Sequence, residues 1–460
     1  MIPAQQSREI RLAVQVAGLL AIVAVGYLGG PEAAGLAIAA VLAPVALLLG
    51  VQLLRPRRAV PTVERVAAGR EPFPNLGSWL VVGASVHVLL ALALDLSGTA
   101  DSLAPDHQFY RHWGQLLVVH SSRPLANLQG EIGYNPTAIY YYFNAVAWFL
   151  AGPKASLLLG IFNGGLHLAT AYLAAGIAYQ LYDARAARIC FLLVSFMPSL
   201  VVYSSLNIRD ALSWLLIVAA VRGALMVREP GRLTTGTIML ATGVVGMGFV
   251  RPYIMLMLLI SFAAAQVLTK PKRVPAAAVT LIALVIVGAF AGPRVGVSLD
   301  LISSDGLKEI QIARATLDGG GSAAGFTGDV SSPGQALLMV PKGLAFFLLS
   351  PYPWEVRNFR QAMAVPEVLI WGTLLVLAAR QLLKDAPVQP TKVATLVFPA
   401  LAICLTYALM EGNAGTANRH RGQMAAIVMV FASQSLASLW RARRDQSRRT
   451  TIDAPALRRT

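Results

Sequence analysis

The sequence predicts an all-α fold, a polytopic transmembrane bundle of about twelve helices with two large exoplasmic loops that carry interfacial helices. Its 460 residues are 56% hydrophobic and 13% charged, whereas a typical soluble domain carries about 25% charged residues. The apolar residues form runs long enough for a helix to cross about 30 Å of hydrocarbon. Basic residues concentrate in alternate connections, as they do in chains that a membrane orients.

Twelve apolar runs are predicted to cross the membrane, in two groups. Residues 12–30 and 34–54 form a two-span hairpin at the N-terminus, which we treat as a separate unit, 1–54. The other spans belong to the region 78–440, which is followed by a basic tail, 441–460. They are 78–97, 156–180, 187–204, 210–227, 234–250, 254–269, 275–292, 364–383, 393–410 and 422–440.

Two further apolar stretches are predicted to stay outside the hydrocarbon. The stretch 136–151 carries three consecutive tyrosines, which suit an interfacial helix better than a lipid-facing span. The stretch 336–350 is interrupted by Pro341-Lys342-Gly343. Both belong to long exoplasmic loops, 98–155 and 293–363, and long structured loops commonly carry function.

Charged residues predict the orientation of the chain. When the two extra stretches are left out of the span count, the most basic connections all fall on one side of the membrane. They are 55–58, 183–188, 228–232, 270–273, 384–392 and the tail from residue 441. Because basic connections stay in the cytoplasm, both termini of this multi-pass protein of the cell membrane are predicted to be cytoplasmic. The net charge of +16 is then an orientation signal, and the predicted partner is the lipid bilayer and not nucleic acid.

One exoplasmic stretch is rich in ionisable side chains: APDHQFYRHWGQ, residues 104–115, just after the third span. A carboxylate in a membrane-facing cleft is partly desolvated, which raises its pKa and makes it a better proton acceptor. Asp106 is therefore a candidate catalytic base with His107 and Tyr110 beside it, and the alternative is an ordinary solvated loop acid. No metal site is predicted, and the cofactor stays open because His107 or His112 is able to bind a divalent metal.

Two exoplasmic junctions between spans carry arginines. Arg209-Asp210 opens one span, and Arg251-Pro252-Tyr253 joins two others. A guanidinium forms two parallel hydrogen bonds to phosphoryl oxygens, so Arg251 is a candidate phosphate ligand. Arg209 and Asp210 are candidate functional residues, because charges at a span terminus are costly unless they are paired or face water. The alternatives are an internal Arg209–Asp210 pair with a structural role, and snorkelling of Arg251 to lipid headgroups.

Later exoplasmic segments add further cations. Lys342 stands in an otherwise apolar stretch and is a candidate for neutralising an anionic lipid headgroup. The connection 411–421 carries Arg419 and Arg421 just before the last span, against the orientation rule. An anionic ligand explains these side chains better than a merely solvated face does.

The order of these motifs resembles that of the type-C membrane glycosyltransferases, the polyprenyl-phosphate-sugar-dependent class. The resemblance covers most of residues 78–440. It is carried by Asp106 with Tyr110 one turn later, Tyr134-Asn135-Pro136 before a Tyr-rich helix, Tyr179–Arg185, Met197-Pro198, Tyr203-Ser204-Ser205, Arg209-Asp210, Pro351–Trp354 and Asn418–Arg421. Many members have two adjacent acids in the first loop, whereas here Asp106 is followed by His107, which leaves metal use and the acceptor open.

The resemblance implies a glycosyltransferase that moves a hexose or pentose from a polyprenyl-phosphate donor, on the exoplasmic face, with inversion at the anomeric carbon. The acceptor would be a glycan, a lipid or a protein, and Asp106 would be the catalytic base. The residues expected to bind substrate are His107, Tyr110, Tyr134, Asn135, Arg209, Asp210, Arg251, Tyr253, Lys342, Arg419 and Arg421.

Two other functions compete with this one. One is a transporter or flippase for a lipid-linked saccharide. Transporters often contain an inverted repeat and charged residues near the midplane of the membrane. This sequence shows no repeat, and its ionisable residues are concentrated at the predicted outer face. His87 and His167 stand alone in apolar spans and are expected to be hydrogen-bonded within the bundle. A polysaccharide polymerase or ligase also needs exoplasmic arginines and a lipid-linked donor, so Arg419 and Arg421 fit that function as well.

Overall fold

Helices make up all the regular structure of the described part of the chain, as the sequence predicts. The computed structural model describes residues 72–119, 138–269, 306–308, 310–312, 314, 328–356 and 359–452. Within these ranges every regular element is helical. The predicted spans 12–30, 34–54 and 275–292 lie outside the described residues.

We number the helices in chain order. They are α1 (Gly77–Ser97), α2 (Ala100–Leu103), α3 (Asp106–Val119), α4 (Ala138–Ala151), α5 (Ala155–Leu181), α6 (Ala184–Phe196), α7 (Pro198–Ser204), α8 (Asp210–Met226), α9 (Leu233–Gly248), α10 (Pro252–Thr269), α11 (Pro333–Leu349), α12 (Phe359–Asp385), α13 (Pro390–Met410) and α14 (Ala414–Ile452). Each predicted span within the described ranges coincides with one helix, except 187–204, which is the bent pair α6 and α7.

The number of spans is smaller than the sequence predicts for the described part. Five helical stretches there are long and apolar enough to cross a membrane, and the bent pair α6–α7 makes a sixth. The apolar helices α9, α10 and α11 are shorter; the 16 residues of α9 rise about 24 Å, against a hydrocarbon thickness of about 30 Å. The structure therefore shows an all-helical chain with several candidate spans, and a twelve-span bundle is not confirmed.

The stretch predicted to be an interfacial helix is helix α4, which folds back against α5. The two helices are joined through Gly152, whose φ of 52° is open to glycine at little cost. The side-chain amide of Asn163 donates to the hydroxyl of Tyr140 at 2.9 Å, although a straight helix would separate residues 23 positions apart by about 35 Å. Helix α3 then packs on α4, where Gly114 lies against Asn144.

A buried loop follows the bend between α6 and α7. Pro198 has no N–H to continue α6, and the two helix axes differ by 56°. The carbonyls of Leu206 and Ile208 accept hydrogen bonds from Asn163 at 2.7 and 2.8 Å. Asn207 donates to Asn144 at 2.6 Å. These amides replace the water that a surface loop would bind, and they fix the residues that lead into α8.

The two isolated histidines pair inside the bundle. His87 Nε2 lies 2.9 Å from His167 Nδ1 and 3.0 Å from the Ser204 hydroxyl. The other ring nitrogens lie 2.7 Å from the carbonyl of Gly83 and 2.9 Å from that of Val194. The prediction that both histidines are hydrogen-bonded within the bundle is confirmed, and the pair joins α1, α5 and α7.

Helices α8 and α9 approach each other closely because glycines line their contact. A Cβ atom built on Gly243 would lie 2.5 Å from the backbone nitrogen of Ala220. Gly236 and Gly223 meet the facing backbone in the same way. Small residues at a helix contact allow backbones to pack directly, and this contact holds α8 in place below the loop.

We expect Gly243→Ala to lower the melting temperature of the purified protein, because the added methyl group forces the α8 and α9 backbones apart at a cost of about 1–3 kcal/mol. Gly165→Ala is the matched control, since its new methyl group meets open space; it should leave stability unchanged or raise it by up to about 1 kcal/mol. Thermal melting in detergent measures both variants. Equal melting temperatures for the two would contradict the close packing.

Candidate active site

Four charged side chains from distant parts of the chain form a row of ion pairs, which we call the charge ladder: Asp106, Arg419, Asp210 and Arg251. Arg419 Nη2 donates to Asp106 Oδ2 at 2.6 Å, and Arg419 Nε lies 2.7 Å from Asp210 Oδ2. Arg251 Nη2 donates to the other oxygen of Asp210 at 2.6 Å. The ladder joins the first residues of α3 and α8 to α14 and to the α9–α10 junction.

The ladder leads from the surface into the bundle. The side chain of Asp106 is 41% exposed and that of Arg419 is 10% exposed, whereas Asp210 and Arg251 are 0% and 2% exposed. A buried charge is tolerated when opposite charges surround it. Asp210 meets this condition because a guanidinium faces each of its carboxylate oxygens.

Arg251 is enclosed by its own protein. Its Nη1 donates to the hydroxyls of Tyr253 and Tyr407 at 2.9 and 3.2 Å, and it lies 3.2 Å from His420 Nε2. His420 stacks on Tyr407 with ring centroids 4.5 Å apart, and its Nδ1 bonds to Glu411. Arg251 and Tyr253 were predicted to bind substrate; in this structure they hold Asp210 and the inner end of the ladder.

The motif at residues 418–421 is divided by helical geometry. It lies within the first turns of α14, where residues two positions apart point in different directions. Arg419 enters the charge ladder, whereas Arg421 donates to the carbonyls of Leu348 and Ser350. Arg421 also lines a separate cleft of about 10 Å³ with Glu367, which has room for about one water molecule. Arg419 and Arg421, both predicted to bind substrate, therefore lie at different places in this structure.

Arg209 stands beside the ladder without joining it. Its Nη1 donates to the carbonyl of Val250 at 3.1 Å, and no described carboxylate lies within ion-pair distance of its guanidinium. The side chain is partly exposed. Its charge acts on the carboxyl groups of both Asp106 and Asp210. Arg209 is thus a partly exposed cation that acts on both carboxylates of the ladder.

The pKa of Asp106 differs from the expectation. Burial acts to raise it, but the charge of Arg419 and its hydrogen bond outweigh burial, so that the pKa of Asp106 lies below its usual value. The sequence suggests desolvation alone and therefore a raised pKa; the guanidinium 2.6 Å away reverses the direction. Asp106 is ionised at neutral pH, which a base requires, but the ion pair weakens it as a proton acceptor.

Of the two neighbours of Asp106 on α3, His107 lies away from the ladder and Tyr110 lies beside it. His107 is buried with its Nε2 4.0 Å from Asp101, and burial lowers its pKa, so the ring is neutral. Tyr110 packs against Tyr140, with ring centroids 4.8 Å apart. Burial raises the pKa of Tyr110, so its hydroxyl stays protonated beside the site.

Three predicted residues remain: Tyr134, Asn135 and Lys342. Tyr134 and Asn135 fall outside the described residues. Lys342 is exposed on α11, and the contacts from Asp106 to Arg251 pass through Arg419 and Asp210 without it. In the described ranges no group of three or more His, Cys, Asp or Glu side chains is arranged to hold a metal ion.

Sequence reasoning missed the residues that support Arg251. Tyr407 and Gln423 lie in apolar spans, and Gln423 donates to the Tyr407 hydroxyl at 2.6 Å. Nothing in an apolar run marks such residues as polar partners. Glu411 and His420 carried a signal, because an acid and a histidine flank the same short connection between two apolar runs.

The chain matches no protein-family model, no curated protein and no solved structure. The resemblance to type-C glycosyltransferases therefore rests on the order of motifs in the sequence. The chemistry of the charge ladder is an independent guide to function.

We expect Asp210→Asn to destabilise the protein by about 3–5 kcal/mol, because it leaves two buried guanidiniums facing each other without their carboxylate. Asp106→Asn removes a charge at the exposed end and should cost about 0–1 kcal/mol. Melting temperatures of the two variants in one detergent test the difference. If Asp210→Asn has the same melting temperature as the wild type, the charge ladder does not stabilise this end of the bundle.

Proposed function

We propose that this chain is a membrane glycosyltransferase that moves a sugar from a polyprenyl-phosphate donor to an acceptor on the exoplasmic face. One observation carries the proposal: a half-exposed carboxylate and several guanidiniums converge from distant segments at one end of an apolar helical bundle. A base that is surrounded by cations suits a reaction in which a hydroxyl loses a proton while a phosphate leaves.

The level of the site within the bundle supports a lipid-linked donor. Helix α8 has 17 residues and rises about 25 Å from Met226 to Asp210. With Met226 at the cytoplasmic side of a hydrocarbon core about 30 Å thick, Asp210 lies near the outer boundary of that core. A lipid phosphate is found at this level while its chain stays in the membrane.

The proposed reaction is a single displacement. The acceptor hydroxyl gives its proton to Asp106 as its oxygen bonds to the anomeric carbon. The bond between that carbon and the phosphate oxygen breaks, and its electron pair leaves with the lipid phosphate. Attack from the side opposite the leaving group inverts the anomeric centre. Arg419 and Arg209 stabilise the charge on the departing phosphate, while Asp210 and Arg251 position Arg419.

We expect Asp106→Asn to lower the rate of sugar transfer by about 10²- to 10⁴-fold, because no base remains to take the proton of the attacking hydroxyl. A radiolabelled polyprenyl-phosphate sugar in proteoliposomes measures transfer, and co-purification of the labelled lipid measures donor binding, which should persist. The matched control is Asp101→Asn, which removes a similarly exposed carboxylate on α2 and should keep full activity. Undiminished transfer by Asp106→Asn would remove Asp106 as the base.

The same assay separates the proposal from the two competing functions. A flippase would move the labelled lipid across the bilayer without forming a new glycosidic bond. A polymerase or ligase would form a product of many sugar units or join a preassembled glycan. A single added sugar on the acceptor is the outcome that our proposal requires.

The proposal includes a twelve-span topology with both termini in the cytoplasm of the cell. In this arrangement the short helices α9 and α10 cross the membrane beside the longer ones. The spans 12–30, 34–54 and 275–292, predicted from the sequence, bring the count to twelve. The basic connections then lie in the cytoplasm, as the orientation rule requires, and the ladder faces outward.

We expect a reporter enzyme fused after Asp183 to report a cytoplasmic position, and the same reporter fused after Ser102 to report an exoplasmic one. The physical reason is the basic segment 183–188, which resists translocation. Alkaline phosphatase and a cytoplasmic reporter at each site give opposite signals. Finding both sites on the same side would refute the topology.

A further inference from the structure

We propose that Arg419 and Arg209 form an anion-binding site that the carboxylate of Asp106 occupies until a phosphate group displaces it. The competition between Asp106 and an anion follows from the geometry of the ladder. The identity of the anion, a polyprenyl phosphate, rests on the proposed function.

Arg419 is the ladder member whose outer partner is able to exchange. Its Nη2 binds Asp106 and its Nε faces Asp210. Asp210 is fully buried and is also held by Arg251 at 2.6 Å. An incoming phosphate therefore meets one fixed carboxylate on the inside and one that is open to solvent on the outside. Guanidinium forms parallel hydrogen bonds to phosphoryl oxygens as readily as to carboxylate.

The two ion pairs of Arg419 differ in how readily they break. The pair with Asp106 involves a side chain that is 41% exposed, and an exposed ion pair contributes little to stability. The pair with Asp210 is enclosed by protein, so its loss would leave buried charges uncompensated. Exchange is thus directed to the Asp106 side.

Arg209 supplies the second cation of the proposed site. Its guanidinium is partly exposed, donates to the carbonyl of Val250, and acts electrostatically on Asp106. Arg251 and Arg421 are less suited, because Arg251 is enclosed by its tyrosines, histidine and Asp210. Arg421 is directed to backbone carbonyls at the end of α11.

Displacement of Asp106 from Arg419 would make Asp106 a stronger base when the donor phosphate is bound. In the ligand-free protein, Arg419 keeps the pKa of Asp106 low. When the guanidinium turns to a phosphate, that influence weakens while burial continues to raise the pKa, so Asp106 becomes a stronger proton acceptor. The freed carboxylate also lies next to the phosphate, and hence next to the anomeric carbon attached to it.

The test measures anion affinity of the full-length protein in nanodiscs, with inorganic phosphate and farnesyl phosphate as probes. Asp106→Asn should bind at least one of these two probes about 5-fold more tightly than wild type does. The substitution removes a carboxylate that competes for Arg419, and an exposed ion pair contributes about 1 kcal/mol. Asp101→Asn should bind as wild type does, and Arg419→Gln should lose binding. Farnesyl phosphate alone showing the gain identifies a lipid source; equal gains identify free phosphate.

Equal or weaker binding by Asp106→Asn, or no binding of either probe to any variant, would overturn the proposal. These results are separable from the transfer assay. Tighter anion binding by Asp106→Asn with undiminished transfer would support the anion site and contradict the role of Asp106 as the base. Unchanged anion binding by this variant with lost transfer would support the role of Asp106 as the base and contradict its competition with the anion.

A second measurement needs no variant at this position. In the wild-type protein, decyl sulfate should speed the coupling of glycine ethyl ester to Asp106 by a water-soluble carbodiimide several-fold, because an ion-paired carboxylate reacts slowly. Peptide mass spectrometry reads the rate at Asp106, with Asp101 as the internal control. A rate at Asp106 that decyl sulfate leaves unchanged would contradict the displacement.

Discussion

The buried carboxylate of Asp210 between two guanidiniums is the constraint on which this end of the molecule depends. A charge that is fully removed from water must be balanced nearby, and here the balance comes from Arg251 and Arg419. The three side chains belong to different parts of the chain. Their contacts therefore fix α8, the α9–α10 junction and α14 relative to one another, and Arg419 extends the same constraint to Asp106 on α3.

The rest of the bundle serves to deliver Asp210 to that position. The loop before α8 is buried, so its backbone carbonyls need partners, which Asn163 provides. Below the loop, glycines allow α8 and α9 to pack backbone to backbone. The pair His87 and His167 ties α7 to α1 and α5. These contacts fix the elements that carry the ladder.

Under the proposed function, the carboxylate of Asp106 has two roles. Without ligand, it neutralises Arg419, which would otherwise have no counter-ion on the side of the second cation, Arg209. During the proposed reaction, it must be available to take a proton. Asp106 is partly exposed and, among the described residues, is held by its ion pair with Arg419, which suits an exchange between these states. Asp210 has a guanidinium facing each of its oxygens, which suits a fixed role.

The sequence by itself determined the helical class and the positions of the described apolar helices, and it singled out the four residues of the ladder. Apolar runs and turn residues act locally, so 136–151 and 336–350 could be singled out and both contain helices. The span count was not settled, because helix length depends on where packing and breaks end each helix. Asp106 and Arg419 were both selected, but their pairing across 313 positions follows from tertiary structure alone. That contact decides the direction of the pKa shift of Asp106, since a neighbouring charge at 2.6 Å outweighs the desolvation that local sequence suggests.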